Sequence, residues 1–264
     1  MVTVKEITAA IEEFAPLNLQ SSFDNSGLLV GCDSQEVNGA IIAVDLTESV
    51  IDEALERGVD MVICHHPIIF TPLRRFNSVG VVERCVERAI RHNLVIYAAH
   101  TNLDSTPGGL SWILAEMFGI EGGRVLSVTN GEAGAGFGVV GELSSPMEFD
   151  KFMALVADKL SLKMVRYSEV INPVISRVAV SSGSGASLIE DVYASGCDLY
   201  MAADFKYNNF LEAQGRVTIA DIGHFESEYC AIDLLYTILS KKMFTFALYK
   251  SEQGLNPVNY KTFK

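Results

Sequence analysis

The sequence of 264 residues contains no apolar run that approaches the roughly 18 residues needed to cross a membrane. Its first residues, Met1 to Thr8, carry an acid where a signal peptide would have a basic region followed by an apolar one. About half of the residues, 49%, are hydrophobic, which excludes a disordered chain. We therefore expect a folded cytoplasmic protein with no membrane partner.

Positive charge and paired cysteines are also scarce. The chain has 20 Lys and Arg against 33 Asp and Glu, a formal net charge of −13, and no basic stripe with interleaved aromatic residues. Because such a field repels polyanions, we expect no nucleic-acid partner. The five cysteines include no Cys-x-x-Cys motif, which excludes a zinc ribbon and argues against a disulfide framework. We expect Cys64 to be a core residue and not a metal ligand.

Apolar strand-like stretches alternate with helical patterns along the chain, which is typical of an α/β fold with a parallel sheet. Thr3 and Thr47 are candidate helix caps. The predicted helices are Val4–Phe14, Glu48–Arg57, Val81–His92, Pro146–Lys159, and one that begins at Leu110. The predicted strands are 41–45, 60–64, 94–99, 136–143, 162–166, 177–181 and 217–220.

One pattern occurs twice. The succession of strand, loop, helix, Gly-x-Asp and strand runs from Ala43 to His66 and again from Ala179 to Asp204. We therefore predict an internal duplication, with two similar α/β lobes formed by residues 1–125 and 126–264. No low-complexity linker separates them, so we expect the lobes to pack together around one shared metal cleft.

Two adjacent histidines, His65 and His66, follow an apolar strand and precede Pro67. Since proline cannot donate to a sheet ladder, the backbone is expected to turn there and to direct both rings out of the carboxyl end of the sheet. Open α/β sheets bind their ligands at that edge. In the register of the duplication, these histidines correspond to Ala203 and Asp204, so the two lobes are expected to contribute unequal ligands.

Two further blocks place an acid four residues after a histidine, His100 with Asp104 and His224 with Glu228. If a helix starts at His224 after Gly223, Glu228 lies one turn along on the same face. The Ser-Thr-Pro-Gly-Gly segment after Asp104 favours a loop. A single block of this kind is equally explained by capping or an ion pair. Three histidine blocks at strand ends together indicate a metal centre that takes Zn, Fe, Mn or Mg.

The number of donors exceeds what one four-coordinate ion needs. Two divalent ions about 3.5 to 4 Å apart, bridged by a carboxylate, would use them all. His100 is then a sixth contact, a general acid or base, or a residue that holds another ligand. Asp204 is a candidate proton-transfer residue, although a solvated loop explains it equally well. The predicted metal ligands are His65, His66, Asp104, His224 and Glu228.

Two glycine-containing or polar turns leave alternatives open. The segment from Gly183 to Ser187 follows a strand, and its amides are placed to hold a phosphate or carboxylate, but a plain tight turn accounts for it as well. Asp24 and Asn25 either line the cleft or serve the chemistry of their turn.

The chain resembles the GTP cyclohydrolase 1 type 2 homolog family, also called the NIF-three-like family, nearly from end to end. The motifs that carry the resemblance are Phe23-Asp24-Asn25-x-Gly27-Leu28-x-Val-Gly31, Asp45-x-Thr47, Cys64-His65-His66-Pro67-x-x-Phe70, His100-Thr-Asn-x-Asp104 and Gly223-His224-x-x-Ser227-Glu228.

The resemblance implies two α/β lobes that face a dinuclear metal site, and a homohexameric ring with the sites directed to its interior. It assigns His65 and Asp104 to one ion, His66 and His224 to the other, and Glu228 to the bridge. We therefore expect the chain to bind two divalent metal ions.

The chain departs from the family pattern in two places. The segment Ala202–Asn208 lacks a glycine and a histidine that the family tends to have, and Gly131–Asn172 is too short for the domain that longer members insert. The resemblance implies a metal-dependent hydrolase of a nucleotide or related heterocycle, with His100 or Asp204 moving protons. The alternatives are a metal-dependent phosphoesterase and a non-catalytic metal-binding scaffold that acts through protein partners.

Overall fold

The computed structural model describes residues 2–129 and 134–262. The chain divides into two compact units, the first formed by Met1–Leu103 with Ala231–Leu255 and the second by Asp104–Cys230 with Asn256–Lys264. Both units contain helices and strands, so the fold is mixed α/β. Within the described ranges, no helix is both long enough and apolar enough for a membrane span.

The strands are β1 (Val2–Thr3), β2 (Gly27–Val30), β3 (Glu36–Val37), β4 (Gly39–Ala43), β5 (Met61–Cys64), β6 (Val95–Ala98), β7 (Ile120–Val128), β8 (Gly136–Glu148), β9 (Arg166–Tyr167), β10 (Val174–Ser184), β11 (Leu199–Ala203), β12 (Thr218–Asp221) and β13 (Ala247–Lys250). The helices are α1 (Val4–Glu12), α2 (Glu48–Glu56), α3 (Val81–Arg91), α4 (Thr101–Ser105), α5 (Leu110–Met117), α6 (Phe149–Leu160), α7 (Ile189–Ser195), α8 (Tyr207–Glu212), α9 (His224–Glu228) and α10 (Cys230–Lys242). Short 3-10 turns occupy Leu17–Leu19 and Ala186–Leu188.

The sheet of the first unit has the strand order β13-β4-β5-β6-β2. All of these strands run parallel to their neighbours except β2, which is antiparallel to β6. Every residue of β4, β5 and β6 is buried, as expected for parallel strands that are covered on both faces. The core beside this sheet includes Ile41, Ile51, Val62, Cys85, Ala89 and Ile96. The predicted parallel sheet is confirmed for this unit.

The C-terminal segment returns to the first unit, which the sequence did not indicate. Strand β13 pairs in parallel with β4, and the buried Glu53 accepts hydrogen bonds from Ser251 Oγ at 2.7 Å and from the backbone N–H of Glu252 at 3.1 Å. The bounds of the units therefore differ from the predicted division after residue 125. Strand β13 has only four residues, and none of them is fully buried. Such a short, partly exposed strand gives only a weak signal in the sequence.

The sheet of the second unit has the strand order β7-β8-β10-β11-β12-β9. Strands β10, β11 and β12 are parallel, whereas β7, β8 and β9 join in antiparallel fashion. The succession β10, α7 and β11 follows the order of β4, α2 and β5 in the first unit. Gly58 and Gly196, with φ of +66° and +67°, occupy equivalent positions at the ends of α2 and α7. An internal duplication remains a prediction.

The loop predicted for the Ser-Thr-Pro-Gly-Gly segment is confirmed for residues 106–109, and α5 begins at Leu110 as expected, but Thr101–Ser105, which includes Asp104, forms the helical turn α4. The side chain of Asn102 explains the difference. Its Oδ1 accepts from the backbone N–H of His100 at 3.0 Å, and its Nδ2 donates to the carbonyl of Ala15 at 2.7 Å. The bond to His100, together with the bond from the backbone N–H of Thr101 to Asp24 Oδ2 at 3.0 Å, satisfies backbone donors at the start of α4, and the bond to Ala15 ties this turn to the segment after α1.

Two element boundaries in the second unit also differ from the prediction. Strand β8 continues through Pro146 to Glu148, so α6 begins at Phe149. The register of β8 with β10 shifts near this point. Because the ladder is interrupted there, Pro146 is accommodated although it has no backbone N–H to donate. The predicted strand 162–166 is reduced to β9. Leu162 and Val165 pack against the core of the unit from an irregular segment, which explains their strand-like apolar spacing.

The cap of α2 provides a test of the fold. Thr47 Oγ1 accepts a hydrogen bond from the backbone N–H of Val50 at 3.2 Å, as predicted. Thr47→Ala is expected to lower the free energy of unfolding by about 1 kcal/mol, because a backbone donor loses its acceptor. Urea unfolding measures the change, with Thr47→Ser as the control that retains the acceptor. Equal midpoints for the alanine and serine variants would contradict the cap.

Candidate metal centre

Three histidines of the first unit meet at one edge of its sheet. Strands β5 and β6 are parallel neighbours, so the residues after their carboxyl ends, His65, His66 and His100, emerge side by side. The ring centroids are 5.0 Å apart for His65 and His66, 5.3 Å for His65 and His100, and 5.4 Å for His66 and His100. Each ring offers a nitrogen, and the three nitrogens lie within 4.8 Å of one another. We call these residues the histidine cluster.

Hydrogen bonds at Nδ1 orient the two adjacent histidines. His65 Nδ1 lies 2.8 Å from the carbonyl oxygen of Ala99, and His66 Nδ1 lies 2.8 Å from Asp45 Oδ1. Because both oxygens are acceptors, each ring carries its proton on Nδ1 and directs the lone pair of Nε2 to its other side. Histidines that bind metals are held in this way. Asp45 was not among the predicted site residues, although its place just after the buried strand β4 was a usable signal.

His100 is held by Asp24 in the same manner. Its Nδ1 lies 2.7 Å from Asp24 Oδ1, while Asp24 Oδ2 accepts from the backbone N–H of Thr101 at 3.0 Å and from Ser26 Oγ at 2.8 Å. Burial raises the pKa of Asp24, but the hydrogen bonds from His100 and Thr101 outweigh it and hold this pKa well below its usual range. Asp24 is therefore an ionised partner of His100 and more than a turn residue.

In the second unit, His224 and Glu228 lie one turn apart on α9, as the spacing predicted. Gly223, with φ of +81°, allows the helix to start at His224. His224 Nε2 lies 2.9 Å from Glu228 Oε2, and His224 Nδ1 lies 2.7 Å from Asp204 Oδ2. Asp204 follows β11 and has a φ of 59°, which Asp tolerates better than most residues. Asp204 therefore accepts a hydrogen bond from His224 and orients its ring.

The two carboxylates change the ionisation of His224. Burial lowers the pKa of His224, but the hydrogen bonds and charges of Glu228 and Asp204 raise it to about 9. In the metal-free protein, both ring nitrogens therefore donate at neutral pH, one to each carboxylate. A metal that binds between His224 and Glu228 must replace the proton on Nε2.

Asp104 is held by hydroxyl groups from its own unit. Ser182 Oγ donates to Asp104 Oδ1 at 3.1 Å, and Ser111 Oγ accepts from the backbone N–H of Ser182 at 3.2 Å. All three residues are buried. The end of β10 therefore orients the carboxylate of Asp104.

Gly183 brings β10 close to Glu228. Its φ is +56°, and a β-carbon at this position would lie 1.9 Å from Glu228 Oε1. Its backbone N–H donates to Ser227 Oγ at 3.0 Å, and the N–H of Gly185 donates to the carbonyl of Ala203 at 3.2 Å. Since these amides already have protein acceptors, the glycines serve close packing, and the structure does not support a phosphate cradle here.

Cys64 has the core position expected of it. The residue is fully buried at the end of β5, and burial raises the pKa of its thiol well above the usual value, with the charge of Asp45 adding to the effect. A protonated thiol in the core is a poor metal ligand. The imidazole and carboxylate groups are the donors that fit Zn, Fe, Mn or Mg.

Metal affinity is expected to rise with pH from neutrality to the His224 pKa of about 9. The sign follows from competition, because a metal at His224 must displace a proton that the raised pKa retains. Affinity should fall further below neutrality, because protons compete with metals for imidazole ligands. Competition with a chelator measures the affinity, and His224→Ala should flatten only the upper part of the profile. A flat wild-type profile between neutral pH and 9 would contradict the prediction.

Comparisons with known proteins agree with the resemblance. The model of the family described as Duf34/NIF3 (NGG1p interacting factor 3) matches residues 2–257. A GTP cyclohydrolase 1 type 2 homolog from Clostridium perfringens is 34% identical over 227 residues, which span 86% of this chain and 87% of the relative. One from Clostridium acetobutylicum is 30% identical over 269 residues, 98% of both chains. The crystal structure of a Bacillus cereus protein related to NIF3 has a similar fold, with a TM-score of 0.89 at 21% identity and coverage of 98% and 99%.

Proposed function

Because this chain belongs to the Duf34/NIF3 family, we propose that it is a metal-dependent hydrolase that acts on a nucleotide or a related heterocycle. One observation carries the proposal. Each of the four candidate histidines has its Nδ1 within 2.8 Å of a carbonyl or carboxylate oxygen in its own unit, which leaves Nε2 as the ligand atom. Histidines with purely structural roles have no need of this common arrangement.

The proposed centre holds two divalent ions per chain. As the resemblance implies, His65 and Asp104 would bind one ion, His66 and His224 the other, and Glu228 both. Asp104 and Glu228 are buried carboxylates, at 8% and 3% exposure, and their negative charge together with the imidazole nitrogens is the donor set that divalent cations prefer.

When bound, divalent ions would supply the Lewis acidity that activates water and polarises an electrophile. The remaining chemistry falls to the protein. Asp24 accepts from His100 Nδ1 and orients the ring, so Nε2 is the atom through which His100 would take up a proton and return it, as a general base and then a general acid. Asp204, the second candidate for proton transfer, orients His224 in this proposal.

The role of His100 is separable from metal binding. His100→Ala is expected to lower kcat by about 10²- to 10⁴-fold while both ions stay bound, because general acid–base catalysis typically contributes that much. Metal content and turnover are measured on the same preparation. If the variant loses an ion along with its activity, His100 is a ligand and the proton-transfer role is wrong.

A non-catalytic metal-binding scaffold is the second candidate, and one observation favours it. At the end of β11, Ala203 is buried and the carboxylate of Asp204 is engaged with His224 Nδ1, so neither residue is placed to act on a substrate. The deciding experiment measures turnover of a panel of nucleotides and phosphoesters with defined Zn, Mn, Fe or Mg. Ring opening supports the hydrolase, phosphate release supports a phosphoesterase, and metal binding without turnover supports the scaffold.

We also propose that the chain forms a closed homo-oligomer, a hexameric ring by resemblance. Several large apolar side chains are exposed, and symmetric association would bury such surface. They include Phe76, Val79, Phe244 and Leu255, at 61% to 87% exposure. Light scattering is expected to return a mass near six chains. A monomer throughout the micromolar range would contradict the ring.

A further inference from the structure

Two aromatic side chains are exposed beside the histidine cluster. Phe23 is 67% exposed and Phe70 is 49% exposed, although both belong to the same unit as His100. Their ring centroids are 6.2 Å apart with an interplanar angle of 58°. The ring of Phe70 is also 6.2 Å from that of His100, at 78°. The three rings form a continuous aromatic path from the solvent to the proposed proton-transfer residue.

Hydrogen bonds hold this path in place. Phe23 directly precedes Asp24, which accepts from His100 Nδ1. Asn25 Nδ2 donates to the carbonyl of Ile69 at 2.6 Å, which fastens the Phe23 turn to the segment that carries Phe70. The turn and the segment are therefore fixed to each other and to His100, so the two rings stay at the surface in a defined arrangement.

Leaving two adjacent phenylalanines in water forgoes the stabilisation that their burial would provide. A held pair of apolar rings next to polar reactive groups is a feature of small-molecule sites, where apolar walls bind the ligand and a few polar groups orient it. Because the rings are tilted, a flat ligand can stack on one ring and touch the edge of the other.

We propose that Phe23 and Phe70 bind the planar heteroaromatic ring of the substrate and set its edge against His100. The inference rests on the proposed function and adds the residues that recognise the substrate. Charge supports recognition through the ring, because a chain with a net charge of −13 repels the phosphates of a nucleotide over long range. Uncharged apolar rings attract the base, which carries no charge at neutral pH and presents flat faces for stacking.

The test measures dissociation constants by NMR titration with adenosine, guanosine and cytidine, and with ribose as the probe that lacks a ring. These probes are uncharged, so phosphate binding to the metals does not enter. Phe70→Ala and Phe23→Ala are each expected to weaken nucleoside binding about five- to 150-fold, the usual effect of removing an aromatic stacking partner. Phe70→Tyr should retain the affinity. Tyr167→Ala, which removes an aromatic side chain that is 54% exposed in the second unit, should leave the nucleoside affinity unchanged.

The inference is overturned if wild-type protein binds none of the three nucleosides better than ribose. It is also overturned if both alanine variants keep their affinity within twofold. Unchanged affinity together with a smaller mass in light scattering would make the aromatic pair an interface between copies of this chain. The proposed function can fail separately. If nucleoside binding depends on Phe70 but the protein shows no turnover, the hydrolase alone is refuted. If turnover is unchanged in both phenylalanine variants, this inference alone is refuted.

Discussion

Glu228→Gln is expected to empty both metal positions. Glu228 is 3% exposed, and its Oε2 lies 2.9 Å from His224 Nε2, the atom that a metal would take over. Glutamine retains the size and polarity of the side chain but removes its negative charge. At an effective dielectric constant of about 20, one charge at 4 Å contributes about 4 kcal/mol per unit of cation charge, so a single unit already corresponds to roughly a thousandfold in affinity. Metal content after dialysis should fall from two ions per chain to nearly none, whereas His224→Ala should mainly remove one.

The same helix provides a matched control. Glu226 lies on α9 two residues before Glu228, and its Oε1 accepts from Asn256 Nδ2 at 2.9 Å. Glu226→Gln removes an equal charge from a residue that is not a proposed ligand, so it should leave the metal content unchanged. A folded Glu228→Gln protein that retains two tightly bound ions would refute the bridge and make Asp104 the next candidate.

Much of the candidate site could be predicted because its signals are local. Strands β5 and β6 are continuous apolar runs, so the residues that follow them were expected at the edge of a sheet. The turn spacing of His224 and Glu228 depends only on helix geometry, and the structure reproduces it. Residue chemistry and short-range periodicity were sufficient for these positions.

The hydrogen-bond acceptors that orient the histidines could not be predicted from such local patterns. Asp45 lies 21 residues from His66, and Asp24 lies 76 residues from His100, so neither pair leaves a periodic trace in the sequence. The return of β13 to β4 is likewise a pairing between distant segments. Single-sequence reasoning identifies groups that can bind a metal, but only the folded chain shows which acceptor holds each ring and thereby selects Nε2 as the ligand atom.

Gly183→Ala is expected to abolish tight metal binding with only a modest loss of stability. The new β-carbon would lie 1.9 Å from Glu228 Oε1 and 2.9 Å from Glu228 Cδ. The obstructed group is the far end of a flexible side chain, so the carboxylate can move aside at small cost to the fold. A displaced carboxylate no longer faces His224, and the metals lose the ligand that we assign to both of them.

Backbone strain must be separated from this displacement, and Gly196 allows it. Gly196 has a φ of +67°, close to the +56° of Gly183, but a β-carbon there would meet no atom within 4 Å. Gly196→Ala therefore carries the strain without the collision, about 1 kcal/mol for a non-glycine residue in this region. Both variants should unfold at similar urea concentrations, while only Gly183→Ala should lose its metal in dialysis. If the two variants retain equal metal, the position of the Glu228 carboxylate does not control binding, and the role of Gly183 is limited to the path of β10.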